Sequence, residues 1–458
     1  MSRYFDISDF VRFARGNRGV SGIQRVQMRV IRHLAGQPEG EHDYCVYSSG
    51  RFSALRACRA RDLFHDSGYD ATVFLEKLGL EDPGGAFTQR ELYDYLARYR
   101  KGSILRALAK IQLLFWQRLA PGRARQRLGL ASRAVDTGDG VRRIETWRLR
   151  SLDRDDQLVL MGTNWNASAT EPFARRHRRQ GGRVVQVMYD LIPHRYPNLC
   201  VASLARKFDA FLARSTTYAS RYVCISEATK RDMQTYLRAH GRAADVVAWP
   251  LAHEFEGYGR NSRDTVATDP SLVLMTGEPF VLCVGTIEIR KNGILLLRAW
   301  QRLIEDLGAR TPRLVFAGKY GWKIDDFREL LKSDAGLAER VCIIDRPTDQ
   351  DLANLYQRCL FTAYPSLVEG WGLPVGEAAW FGKYSVVSSS SSLPEVCGQL
   401  LDYVAPDDAG ALAHAVKRAI LDESYRLAKE QQIRAAPLRS WADAAAAFSR
   451  CLAGNTGV

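Results

Sequence analysis

From residue 278 onward, short apolar runs alternate with stretches of helical period. Phe280-Val281-Leu282-Cys283-Val284-Gly285 predicts a buried strand, followed by an amphipathic helix over Ile294–Ile304. Leu314 to Gly318 leads in the same way to a helix over Asp325–Leu331, and Val341 to Ile344 leads to one over Asp349–Arg358, with Asp349 as its expected N-cap. A strand over Leu360–Tyr364 runs into Pro365 and then a helix opened by Pro374. Strands Tyr384–Val387 and Leu401–Val404, a short helix near Leu393 and a helix over Ala409–Leu421 complete the series. Uninterrupted apolar strands between amphipathic helices predict a parallel sheet covered on both faces, which binds ligands at the carboxyl ends of its strands. Gly285, Gly318 and Pro365 mark such ends.

The first half repeats the α/β theme less cleanly. Its expected strands are Tyr44–Tyr47, Gln157–Met161, Val184–Tyr189, Tyr222–Ile225 and Asp245–Ala248, with helices over Arg206–Ala219 and Ala228–Leu237. Two domains follow, 1–255 and 278–435, joined by an aperiodic linker over 256–277; a final helical segment spans 436–458. Residues 50–150 break the alternation. Between Arg98 and Arg133 ten Lys and Arg residues occur without one acidic residue, while Ile104, Leu108, Ile111, Phe115 and Leu119 share a helical face flanked by Trp116. A basic amphipathic helix of this kind lies in an anionic lipid interface, or packs on a core with a solvated basic back.

The chemistry concentrates at the strand ends. Glu369-Gly370-Trp371-Gly372-Leu373-Pro374-Val375-Gly376-Glu377 places two carboxylates eight positions apart around a Gly-rich turn. Glu377 is expected in the first turn of the following helix and Glu369 on the loop before it. Amides of Gly370 to Leu373 and the helix start favour a phosphate or oxyanion in the same space. Gly285-Thr286-Ile287-Glu288-Ile289-Arg290-Lys291-Asn292 brings a fork donor and a point charge to the next helix N-terminus, as a diphosphate requires, with Asn292 as a candidate cap. Lys319, in Gly318-Lys319-Tyr320-Gly321-Trp322, either adds charge there or sits in an ordinary turn; Arg346 ends the next strand and borders a base in the same scheme. In the first half, Gly19, Gly22 and Arg25 occupy a small-residue loop before a helix, compatible with substrate approach. Asp190, at the end of another buried strand, either orients an acceptor hydroxyl or caps the turn into Pro193, and His194 is a surface or a catalytic residue. Ser226-Glu227 reads as a helix cap.

Composition narrows the class. The chain has 458 residues, 46% of them hydrophobic and 25% charged, as in a soluble globular protein of two domains. Net charge is +14, which favours anionic partners, yet no nucleic-acid motif accompanies it. No uncharged apolar run is long enough to span a bilayer, and the N-terminus does not read as a signal peptide. Nine cysteines without a C-x-x-C predict buried thiols in a reducing compartment, with no disulfide and no zinc. No D-x-D-type carboxylate cluster is expected to hold a metal.

Together these segments resemble the retaining glycosyltransferases of family 4, which have the GT-B fold of two Rossmann-like domains facing across a cleft. Glu369 to Glu377 is similar to the family's E-x7-E signature, with Trp371 where Phe is commoner, and Gly285 to Asn292 to its phosphate loop. The resemblance is strong over about residues 278–425. Asp190 to Pro193 and Ser226-Glu227 resemble elements of bacterial polysaccharide-building members, although Tyr189 stands where many members carry His. It implies that Arg290 and Lys291, with Gly285 and Thr286, hold a donor diphosphate, that Glu369 binds sugar hydroxyls and that Glu377 holds a ribose. It also implies that the last helix crosses back onto the first domain. The expected activity is metal-free transfer of a hexose, mannose from GDP-mannose before a UDP-hexose, to a glycan or polyprenyl-linked acceptor. The expected location is the cytoplasm, with residues 98–133 at the inner membrane face. A sugar-nucleotide epimerase and a silent scaffold of the same fold remain as alternatives.

Overall fold

A computed structural model of the chain describes residues 2–15, 22–34, 42–48, 51–56, 71–78, 146–166, 170–262 and 278–453, with isolated positions at 80, 103, 105, 106, 108, 109, 112 and 144. Contacts divide the chain into two compact units, one of residues 1–187 and 217–220, the other of 188–216 and 221–458.

In the first unit, strands β1 (Arg3–Asp6), β2 (His42–Ser48), β3 (Arg51–Arg56), β4 (Trp147–Leu149), β5 (Gln157–Leu160) and β6 (Arg183–Met188) stand in the order β4-β3-β2-β1-β5-β6. β1 pairs in parallel with β2 and β5. The β2–β3 and β3–β4 pairs are antiparallel, so this sheet is mixed, and β3 and β4 lie within residues 50–150, where the sequence predicts a basic helical insertion. The central strand β1 escapes the sequence pattern because Arg3 and Asp6 bracket just two apolar residues. Asp6 is buried, and burial pushes its carboxyl up to about 6 although it accepts from the Ser8 amide at 2.9 Å. Asp9 accepts from Arg12 (2.8 Å), Gln24 (3.1 Å) and Gln27 (3.3 Å), which fastens the Gly22–Leu34 helix at its start.

The second unit holds the parallel pair β7 (Arg221–Cys224) and β8 (Asp245–Ala248) and a six-stranded sheet. That sheet comprises β9 (Phe280–Val284), β10 (Arg313–Ala317), β11 (Val341–Ile344), β12 (Thr362–Tyr364), β13 (Ser385–Ser388) and β14 (Asp402–Val404). Every recorded pair in it is parallel, and the order is β11-β10-β9-β12-β13-β14. Successive strands step one way from β9 to β11 and the other way from β12 to β14. The reversal places a crevice at the carboxyl ends of β9 and β12, where open α/β sheets bind ligands. One core cluster combines Leu282 and Val284 of β9 with Val315, Leu355, Tyr356 and Phe381, and Phe255 packs into it with its ring centroid 5.4 Å from that of Phe381.

Local signals differ from expectation at three helix starts. Thr348, not Asp349, caps the Asp349–Arg358 helix: its hydroxyl accepts from Asp351 N at 3.1 Å and the Asp351 carboxylate accepts from Thr348 N at 2.8 Å. The Thr and the Asp three residues later form a reciprocal pair that outcompetes a lone Asp. Asn292 occupies the cap position of the Gly293–Leu307 helix, but its amide donates instead to Pro365 O (3.1 Å) and Pro406 O (2.7 Å). Pro374 is the second residue of the Leu373–Trp380 helix and Glu377 the fifth, each one residue further in than expected.

The last helix, Trp441–Ala453, lies against β7 and β8. The Trp249 indole donates to Ala444 O at 2.8 Å and packs at a tilt against Phe448, with ring centroids 4.4 Å apart. His253 ties the connecting segments: its Nε2–H donates to Val396 O (2.7 Å) and its Nδ1 accepts from Arg439 N (2.9 Å). Burial pushes its pKa down to about 4. The native state therefore holds it neutral, while the unfolded chain protonates it near pH 6.5. Its contribution is complete above about pH 6.5 and falls away as pH drops toward about 4, by roughly 3 kcal/mol in all. Urea midpoints across this range should show the loss, and a His253→Gln variant should lack that part of the slope. The eight described cysteines are free thiols.

Candidate functional site

The crevice is built from three strand ends. β9 delivers Gly285 and β10 delivers Gly318, whose φ is +158° and whose Cβ would fall 2.1 Å from Gly285 O. Only glycine permits that approach, so the two loops lie against each other; Thr286 sits half-buried on the first. A single 3-10 turn, Ile289–Lys291, then presents two cations just before the Gly293–Leu307 helix. The loop after β12 runs alongside it: Leu367 N donates to Arg290 O at 2.8 Å.

Glu369 joins the two loops. Its Oε2 accepts from Arg290 Nη1 at 2.6 Å and its Oε1 from Lys291 Nζ at 2.6 Å. The Tyr364 hydroxyl also donates to Oε1, at 3.2 Å. Arg290 is held in turn by Glu288, at 2.8 and 3.0 Å, and by Val368 O at 3.1 Å. Lys291 bonds the Tyr364 hydroxyl and lies 4.8 Å from the centre of its ring. All three charged groups are largely buried, Glu369 at 7% exposure, Lys291 at 16% and Arg290 at 19%. Burial alone would raise the Glu369 carboxyl, but Arg290 and Lys291 outweigh it and hold the pKa at about 2. Burial lowers the Lys291 ammonium against the opposing pull of Glu369. For Arg290, Glu369 and Glu288 more than offset burial and raise it.

The backbone of Glu369 is fixed by a run of serines after β13. Ser391 Oγ accepts from Glu369 N (2.8 Å), and the Ser391 and Ser392 hydroxyls donate to Glu369 O (3.0 and 2.8 Å). Ser392 also donates to Trp371 O at 3.0 Å. Sequence reasoning passes over these serines, Tyr364 and Glu288; the signal available was the position of Ser388 to Ser392 at a strand end ahead of Leu393-Pro394. Gly370 lies so close to the segment after β6 that a Cβ there would meet Tyr189 O at 2.2 Å and Asp190 Cβ at 3.1 Å. That contact places Asp190 beside Glu369. The two carboxylates line one cavity of about 150 Å³ together with Ile192, Arg195, Asp232 and Val368. Cavities of about this size accept one six-membered ring. Burial raises the Asp190 carboxyl; Arg290 opposes and Glu369 adds to the rise. Asp190 also accepts from Ile192 N at 3.0 Å, so it caps the turn while facing the cavity.

The remaining candidates are spread more widely. The Glu377 carboxylate is buried and accepts from the Tyr356 hydroxyl at 3.0 Å. The Trp371 ring is buried beneath Arg439 at 5.5 Å, Gly372 precedes the helix in left-handed backbone (φ +116°), and Leu373 begins it. Lys319 is exposed after β10, and Arg346, at φ +52°, is exposed after β11. His194 is exposed and bonds Asp209 at 2.7 Å. Gly22 opens a helix of the first unit and Arg25 follows it half-buried; Gly19 lies outside the described residues, as does most of 98–133.

The family model for glycosyl transferases group 1 matches residues 267–436, the segment that carries Arg290, Lys291, Glu369 and Glu377. The chain is 34% identical over 272 residues to O-antigen chain mannosyltransferase B of Escherichia coli, covering 59% of this chain and 69% of that one. It is 27% identical over 214 residues to the serotype-specific mannosyltransferase WbdA of the same species, spanning 25% of that protein's length. Among solved structures, Anabaena Alr3699/HepE in complex with UDP and glucose matches with a TM-score of 0.59 over 99% of this chain and 100% of that one, at 13% identity. An α,α-trehalose-phosphate synthase from Burkholderia vietnamiensis matches at 0.55, over 99% of both chains, at 14% identity. The architecture is therefore GT-B, and with a basic pair and a carboxylate joined at its sheet reversal the chain belongs to the group 1 glycosyl transferases.

Proposed function

We propose that the protein moves a hexose, mannose in the first instance, from a nucleotide diphosphate sugar to a hydroxyl of a glycan or lipid-linked oligosaccharide during bacterial surface polysaccharide synthesis, retaining the anomeric configuration. The observation that carries this reading is the grip of Arg290 and Lys291 on Glu369, at 2.6 Å each, where β9 and β12 end. Two cations beside the start of a 15-residue helix supply the stabilisation a departing diphosphate needs, in the role a divalent ion plays elsewhere. Glu369, kept ionised, accepts from the sugar hydroxyls, and Glu377 from the ribose. The bond from the anomeric carbon to phosphate oxygen breaks, the acceptor oxygen bonds on the same face, and the departing phosphate oxygen takes the acceptor proton. Asp190 orients that acceptor hydroxyl. Glu369 as covalent nucleophile fits less well, because its carboxylate oxygens are already engaged by Arg290, Lys291 and Tyr364. The mannosyltransferase relatives favour mannose.

The reading extends to a cytoplasmic protein that touches the membrane through residues 98–133. Leu105 and Leu108, at 65% and 55% exposure, are available for such contact, and among the described residues no helix is long and apolar enough to cross a membrane. A thermal-shift screen should show stabilisation by GDP-mannose above UDP-glucose, UDP-galactose and dTDP-sugars. NMR of the product should then show an α-linked sugar on an acceptor from an α-linked donor. An epimerised nucleotide sugar without acceptor, or no donor binding at all, would overturn the assignment. Transfer should persist in EDTA; complete loss restored by Mg²⁺ would remove the metal-free scheme.

A further inference from the structure

The Glu227–Ala239 helix begins at Ser226, whose hydroxyl accepts from Thr229 N at 3.0 Å. That leaves the first two helix amides. Both go to one carboxylate: Glu395 Oε2 accepts from Glu227 N and Oε1 from Ala228 N, each at 2.7 Å. Arg231, one turn on, approaches the same carboxylate at 3.7 Å. A carboxylate at a helix start meets both the free amides and the favourable end of the dipole, so this is a strong, directional joint between segments 167 residues apart.

One of the two helices it joins lines the cavity, and the other follows the serines that hold Glu369, which lines it too. Glu395 belongs to the Leu393–Cys397 helix, which starts after Ser392, the residue whose hydroxyl holds Glu369 O and Trp371 O. The clasped helix contributes Ala228, Arg231 and Asp232 to the cavity wall, and Asp232 pairs there with Arg195. We propose that Glu395 is a positioning residue for sugar transfer: its bidentate clasp sets the spacing between the Glu369 side of the cavity and the Arg231–Asp232 side, and so places the acceptor over Asp190. This rests on the proposed transfer reaction, with the acceptor sugar in this cavity. The clasp holds neither Arg290 nor Lys291, the pair assigned to the diphosphate, so donor affinity should change far less than acceptor kinetics.

Glu395→Ala should lower kcat/KM for a mannose-terminated oligosaccharide acceptor by about 10–100-fold, the effect of misplacing one reactant by about an ångström, while the Kd for GDP-mannose stays within about threefold of wild type. Hydrogen exchange of the peptide spanning 226–232 should accelerate. Glu395→Gln keeps one carbonyl oxygen for the amides and should recover part of the loss; it also carries the test if the alanine variant does not fold. Acceptor kinetics equal to wild type, or donor affinity lost in parallel with acceptor kinetics, would overturn the proposal. Exchange at 226–232 reads the clasp even if the wild type proves to transfer no sugar, which keeps failure of the clasp distinct from failure of the functional assignment.

Discussion

Replacing Lys291 by alanine should lower transfer by about 10²–10³, the usual loss for one charge-stabilising donor in a water-poor site. The ammonium sits 2.6 Å from Glu369, largely buried, with the Tyr364 ring beneath it. No bulk water can replace it at low cost when charge develops on the departing diphosphate. The loss should fall on kcat more than on donor KM, because in the proposed reaction Arg290 and the helix start still hold the ground-state phosphates while the transition state carries the extra charge. Lys291→Arg is expected to rescue little: a planar fork does not fit a socket shaped for a compact ammonium between Glu369 and a phenol ring. Near-normal turnover by the alanine variant would remove Lys291 from the site.

The second large effect concerns Glu369. Glu369→Gln keeps the shape of the side chain but removes the charge that both cations share. Transfer should drop by about 10²–10³ as the charged acceptor for sugar hydroxyls and the site's preorganisation are lost together. Nucleoside diphosphate affinity should hold or improve, because the native carboxylate competes with phosphate for Arg290 and Lys291. The two readouts, steady-state kinetics and nucleotide binding by calorimetry, thus move in opposite directions. Weaker nucleotide binding by the glutamine variant would show that Glu369 does not compete and that the diphosphate sits elsewhere. Glu369→Ala adds a folding penalty of about 3–5 kcal/mol, the cost of leaving a buried charge unpaired, tempered at Arg290 by its second partner Glu288.

The strand–helix alternation after residue 278 was legible because strands buried on both faces carry unbroken apolar runs, as in Phe280–Val284 and Leu314 to Ala317. In the first unit the same reading missed β1, whose apolar run is two residues long, and the antiparallel strands β3 and β4. Helix starts failed where a side chain had a better partner than the nearest amide. Asn292 is spent on Pro365 O and Pro406 O, contacts 73 and 114 residues away that no local rule contains.

Residue types and their spacing were sufficient to place Arg290, Lys291, Glu369 and Asp190 in loops after strands and Glu377 in the helix that follows Glu369, because strand-end loops and helix starts dictate where a free amide or a charge is presented. Local order was also enough for the α/β class and for most strand positions in the six-stranded sheet. Only the tertiary structure put β9 next to β12, since strand order depends on which edges find each other in space. That adjacency brought Glu369 between the two cations, set its pKa at about 2 and recruited Tyr364 and the serines after β13. Charges buried together settle their ionisation by distance and desolvation, and neither quantity is written along a chain.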